Sequence, residues 1–216
     1  MRLKPRPFIL ALAALLLLVS AAAGERGSDG QLRMLYWQAP SILNPFLSGG
    51  TKDIHAASLV LEPLARYDEN GGMVAALAAE IPTVENGGVA ADLLSITWRL
   101  RDDVVWSDGS PFTAADVAFT AAYCMDPEGA CSAASRFQDV KGVEAVDSHT
   151  VRITFKVPMP FPYAPFVGSV SPVIQERQFA ACTGAGMHRA ELWSGRHRPL
   201  QGGGIPPQRH RAVRHE

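Results

Sequence analysis

Residues 95–117 spell SITWRLRDDVVWSDGSPFTAADV, and that string allows few local structures. Ile96, Trp98 and Leu100 alternate with Thr97, Arg99 and Arg101, the period of two that turns one face of a strand toward a core. Asp108-Gly109 then breaks the pattern with a tight turn, because glycine adopts positive φ freely and aspartate bonds its own backbone. Thr113 with Asp116 three positions later reads as a capping box, the hydroxyl and the carboxylate each satisfying a free N–H at a helix start. The apolar run 114–124 continues that helix. A strand, a turn and a helix must follow one another here.

The flanking sequence alternates the same kinds of element. A first strand is expected over 31–38, followed by a Pro-, Gly-, Ser- and Asn-rich loop over 40–51. A helix over 53–61 is stopped by Pro63, and a strand over 64–68 enters the Glu69-Asn70-Gly71-Gly72 turn. An Ala-rich helical piece reaches Ile81, the next strand begins near Thr83, and Asn86-Gly87-Gly88 forms another turn. Beyond the capped helix, 140–146 and 151–157 predict a hairpin across Asp147-Ser148-His149. Pro158, Pro160, Pro162 and Pro165 mark an irregular stretch, and 171–182 predicts a last helix. This irregular mixture is α/β of the mixed, α+β kind. No internal repeat is visible.

The two ends read differently. Arg2, Lys4 and Arg6 precede an apolar run over 8–19 and the small residues Ala21-Ala22-Ala23, the layout of a cleavable signal peptide over 1–23. The run is short for a hydrocarbon layer of about 30 Å, so a soluble periplasmic product is expected. In an oxidising compartment Cys124 and Cys131 are placed for a local disulfide, with two free thiols or a metal site as the alternatives. Cys182 is left over.

As a spelled string, 95–117 resembles the signature of the family 5 solute-binding proteins of bacterial ABC importers, which include dipeptide-, oligopeptide- and nickel-binding proteins. The LNPF at 43–46, the block over 59–80 and the hairpin over 140–162 resemble further family blocks in the right order. The resemblance covers about 33–183. It implies the N-terminal part of a two-lobed, type II-like clamshell with the second lobe missing. The body, 24–186, would then be a partial family domain that captures a peptide or similar small solute for an inner-membrane permease. Trp98, Trp106, Asp108, Gly109, Pro111, Thr113 and Asp116 are read as fold-determining signature residues, with Trp106 in the core. Asn44, Ser48, Gly49, Gly50 and Thr51 are the candidate ligand-facing edge, because Gly49-Gly50 permits close backbone approach. Closure on ligand would be a hinge motion.

From Met187 the composition changes: six Arg, no Lys and two Glu give 187–216 a net charge of +4, and the stretch holds four of the six His. A basic binding tail or a disordered segment is one reading. Another is a frameshift between about 184 and 187. Back-translated and read one nucleotide later, 196–200 can spell Gly-Thr-Gly-Pro-Tyr, which resembles a family motif. In that frame Met187-His188 yields a cysteine that would pair with Cys182, and the segment 187–216 is an out-of-frame tail. The carboxylate that would hold a peptide's amino end falls in the missing lobe, and the product is expected to be a truncated, binding-impaired form.

Enzymatic chemistry is the rival reading, with Asp102-Asp103, Glu62 and Asp92 as acids, or Ser107 with His149 as nucleophile and base. No nucleophile elbow, phosphate loop or metal cluster accompanies them, so no catalytic residue, cofactor or metal is expected. Nucleic acid is not an expected partner. A secreted envelope assembly protein is the remaining alternative.

Overall fold

The computed structural model describes residues 34–42 and 44–180. The expected signal peptide, Cys182 and the tail with its alternative frame lie outside the described residues. The chain divides at Trp37–Gln38 into two units, and the fold that follows is that of the second.

Helix α1 (Thr51–Ala57) follows a single 3-10 turn at Pro45–Leu47. Strands β1 (Ala65–Tyr67) and β2 (Met73–Ala75) form an antiparallel hairpin. A second sheet, ordered β3-β5-β4, is antiparallel throughout and comprises Ser95–Arg99, Thr150–Phe155 and Val140–Asp147. Helix α2 (Ala114–Met125) packs against β4 and β5, and the short helix α3 (Glu176–Phe179) follows the proline-rich stretch.

The period of two decides what the second sheet buries. Register sets Ile96 opposite Ile153 and Trp98 opposite Val151, and all four are fully buried. The intervening pair, Thr97 and Arg152, lies on the outer face. Phe112, Val117 and Tyr123 from the α2 region, with Phe137 and Phe166, complete one core, in which Trp98 meets Tyr163 edge-on at 6.3 Å. Burying each such side chain stabilises the fold by roughly 1.5–3 kcal/mol. The returning chain closes the body where Phe166 O accepts from Leu64 N at 2.9 Å and Gly168 N donates to Ala65 O at 2.9 Å.

Several sequence expectations are corrected. Residues 34–38 form no strand, since alternation makes a strand only where a neighbour completes the ladder. The first helix begins at Thr51 and ends at Ala57, short of Leu61, where Ser58 Oγ donates to His55 O at 2.8 Å. The Ala-rich stretch begins as strand β2 and continues as bends with one bridge from Ala78 to Leu100, with no helix. Asp68 Oδ1 accepts from Asn70 N and Gly72 N, Gly71 has φ 81°, and this turn chemistry outweighs alanine's helix preference. Thr83 begins a turn, closed by Thr83 N to Asn86 Oδ1 at 2.8 Å, instead of a strand. The last helix is only Glu176–Phe179 within the described residues, because bonds from Val173 N to Glu62 O and Ile174 N to Thr120 Oγ1 draw the preceding backbone out straight.

Candidate functional site

The loop read as a ligand-facing edge is organised by a carboxylate that sequence reasoning passed over. Asp53 is buried and accepts from Ser41 N at 2.6 Å, Ile42 N at 3.4 Å, Ser48 Oγ at 2.7 Å and Lys52 Nζ at 3.0 Å. Burial pushes its pKa up, but the bonds from Ser48, Lys52, Ser41 and Ile42 outweigh it and hold the carboxyl well below the usual range. All four partners lie within twelve positions of Asp53.

Around that hub the five candidate residues divide. Asn44 is buried: its Oδ1 accepts from Phe46 N at 3.0 Å and its Nδ2 donates to Tyr123 Oη at 3.0 Å. Ser48 Oγ donates to Asp53 and accepts from Gly50 N at 3.0 Å. Gly50 is the more tightly packed of the two glycines, since a Cβ there would sit 3.3 Å from both Asp53 Oδ2 and Ser48 Oγ. Gly49 has open space where a Cβ would go. Gly49 and Thr51 are exposed, so the outward edge of the loop is theirs.

The signature string forms a second centre. Gly109 takes φ 81° in a turn closed by Gly109 N to Trp106 O at 2.9 Å and Trp106 N to Ser110 O at 2.8 Å. Asp108 Oδ1 accepts from the Ser110 hydroxyl and amide, and its Oδ2 accepts from Gln175 Nε2 at 3.1 Å. Those contacts, the Ser110 hydroxyl foremost, lower its pKa to about 2. Both halves of the Thr113–Asp116 capping box are present. Asp116 also accepts from Trp106 Nε1 at 3.2 Å and from Glu176 N at 2.9 Å, the latter sixty positions away. Trp106 is therefore half-buried at the rim, edge-on to Phe112 at 5.8 Å, and not in the core as expected. Pro111 is exposed and bridges to Val105. Trp98 is fully buried, with no acceptor for its indole N–H among the described residues. The signature works as a latch on Gln175 and Glu176, neither of which carries a sequence signal for that role.

Cys124 and Cys131 are joined as a disulfide. Three groups of the rival enzymatic reading have other partners. Asp103 holds Arg101 through two bonds of 2.8 and 2.7 Å, Asp92 accepts from Leu94 N, and His149 Nδ1 lies 2.9 Å from Ser148 Oγ. A shallow groove of about 690 Å³ runs past Arg99, Arg101 and His149 over a floor of Ala76, Ala78 and Leu100. Among the described residues no helix is long and apolar enough to cross a membrane.

Comparison with known proteins places this geometry. Residues 73–196 match the profile described as bacterial extracellular solute-binding proteins, family 5 Middle, and the match runs past the composition change at Met187. Protein XP55 of Streptomyces lividans is 35% identical over 138 residues, which are 63% of this chain and 23% of that protein. The periplasmic murein peptide-binding protein MppA of Escherichia coli is 27% identical over 139 residues, 56% of this chain and 25% of its own. The solved structure of the oligopeptide-binding protein AppA from Bacillus subtilis, in complex with a nonapeptide, superposes with a TM-score of 0.64 at 18% identity. That superposition covers 73% of this chain and 30% of AppA. The chain thus spans about a quarter of the length of the curated relatives it matches.

Proposed function

Because the chain belongs to the bacterial extracellular solute-binding proteins, family 5, we propose that it derives from the periplasmic binding component of an ABC importer that captures peptides. The family match over 73–196 carries this reading, supported by a murein peptide-binding relative. The protein is exported by a signal peptide cleaved near Ala23, holds solute without covalent chemistry and hands it to an inner-membrane permease. Gly49 and Thr51, with the backbone of Ser48 and Gly50 beside them, form the part of the ligand edge this chain contributes.

A two-lobed clamshell binds by contacts made only when both lobes close, so one lobe's share of those contacts gives little affinity by itself. The 216-residue chain therefore binds peptide poorly, and the product of the restored downstream frame binds it well. Calorimetric titration with trialanine tests both. Micromolar binding by the restored product and none by the present chain is the expected pair of results. A restored product that binds neither trialanine nor longer oligoalanines sinks the peptide reading, and a downstream frame that is closed sinks the frameshift.

A further inference from the structure

Tyr123 and Ser132 stand immediately outside the two cysteines of the Cys124–Cys131 bridge, and both grip the same short stretch of the candidate loop. From the last turn of α2, Tyr123 Oη accepts from Asn44 Nδ2 at 3.0 Å, and its ring lies 6.0 Å from that of Phe46. From the other side, Ser132 N donates to Phe46 O at 2.7 Å and Ser132 Oγ donates to Pro45 O at 3.0 Å. These contacts span 79 and 87 positions of sequence, so chain connectivity does not place them. The residues between the cysteines are held mainly among themselves, with Asp126 accepting from Glu128 N at 2.9 Å and Gly129 N at 3.0 Å. The bridge brings the two cysteine Cα atoms to 5.0 Å and so fixes the spacing of the two jaws.

We propose that the Cys124–Cys131 disulfide is a redox-set clamp that positions residues 44–46, so that the ligand edge takes its final shape only after the chain has met an oxidant. In the closing step the two thiols give up two protons and two electrons to a small disulfide such as glutathione disulfide. That oxidant leaves as two thiols, and one S–S bond replaces two S–H bonds. The Asp53 hub orders the other half of the loop in either redox state, because its partners are local and include neither cysteine. Tyr123 and Ser132 are positioning residues here. The functional meaning rests on the reading of the loop as ligand-facing.

The test is amide hydrogen exchange on the full 216-residue chain, oxidised and after reduction with dithiothreitol, with the amides of Phe46, Leu47 and Ser132 read against those of β5. Reduction is expected to speed exchange at the Phe46, Leu47 and Ser132 amides at least tenfold, to leave β5 unchanged, and to be reversed by glutathione disulfide. In the oxidised Tyr123→Phe form, which keeps the ring and loses the phenol acceptor, exchange at Phe46 rises several-fold. An unchanged loop, or equal acceleration in β5, overturns the clamp. If reduction unfolds the whole chain, oxidised Tyr123→Phe decides: local acceleration supports the clamp and an unchanged loop overturns it. Exchange needs no ligand, so its failure is separable from failure of the trialanine titration.

Discussion

The candidate loop around Asp53 and the signature turn are both built around aspartates, and they differ in how far those aspartates reach. Asp53 gathers donors from within twelve positions and organises only its own loop. Asp108 and Asp116 gather donors from Ser110, Thr113 and Trp106 nearby, and then from Gln175 and Glu176 sixty or more positions on. A local hub can be removed with the rest of the fold intact. A hub that ties the capped helix to the returning chain cannot, because its loss frees a segment that also closes the core at Phe166 and Ile174. The distinctive spelling of the signature follows from that double duty.

Substitutions can break this contrast. Asp116→Ala is expected to have the largest effect, about 3 kcal/mol of global stability, since it strands the Thr113, Glu176 and Trp106 N–H groups together. Urea denaturation followed by tryptophan fluorescence reads it, and a loss below about 1 kcal/mol would show that the latch is dispensable. Asp53→Ala is expected to cost about 2 kcal/mol, with exchange accelerating first over 41–50 while the β5 amides stay protected. Equal acceleration in β5 would erase the distinction between the two hubs.

Acid sharpens the same point. The folded pKa of Asp53 is depressed, so its stabilisation is complete above the unfolded value of about 3.9 and is lost as pH falls toward the folded value. Exchange in the loop should be flat from neutral pH down to about 4 after correction for intrinsic rates, and should accelerate below it. Onset near neutrality would mean that another group controls the loop. The smallest effects separate two glycines. Gly109→Ala forces a side chain into φ 81° and should cost about 1 kcal/mol. Gly49→Ala, with open space around its Cβ, should fall within about 0.5 kcal/mol of the parent.

What could be read in advance follows the same division between near and far. The β3 alternation, the Asp108-Gly109 turn and the Thr113–Asp116 box were legible because each is a contest among a few adjacent residues. The hairpin of β4 and β5 was legible because two valine-rich runs flank the short Asp147-Ser148-His149 turn, and β5 alternates Val151, Ile153 and Phe155 with polar residues. Strand β2 was misread as helix, since alanine's preference says nothing of the Asp68–Gly72 turn that folds the segment back onto β1. In the candidate site, Gly50 packs against Asp53 and Ser48 of its own loop, and Asn44 is buried, neither of which the residue types alone announce. A buried amide shared between Phe46 and Tyr123 looks, in one dimension, like any loop asparagine. Asp53 lay two positions past the loop and went unnoticed, because only the folded backbone turns the amides of Ser41 and Ile42 toward it.

The sequence by itself therefore determined the family, the strand–turn–helix unit and the face of β3 that is buried, because short-range sterics and hydrogen bonding leave those segments little choice. Tertiary structure alone decided that Trp106 sits at a rim and that the signature grips Gln175 and Glu176. It also decided that residues 44–46 lie between Tyr123 and Ser132. Those contacts join residues sixty or more positions apart, and only the closing of a common core selects which distant groups meet.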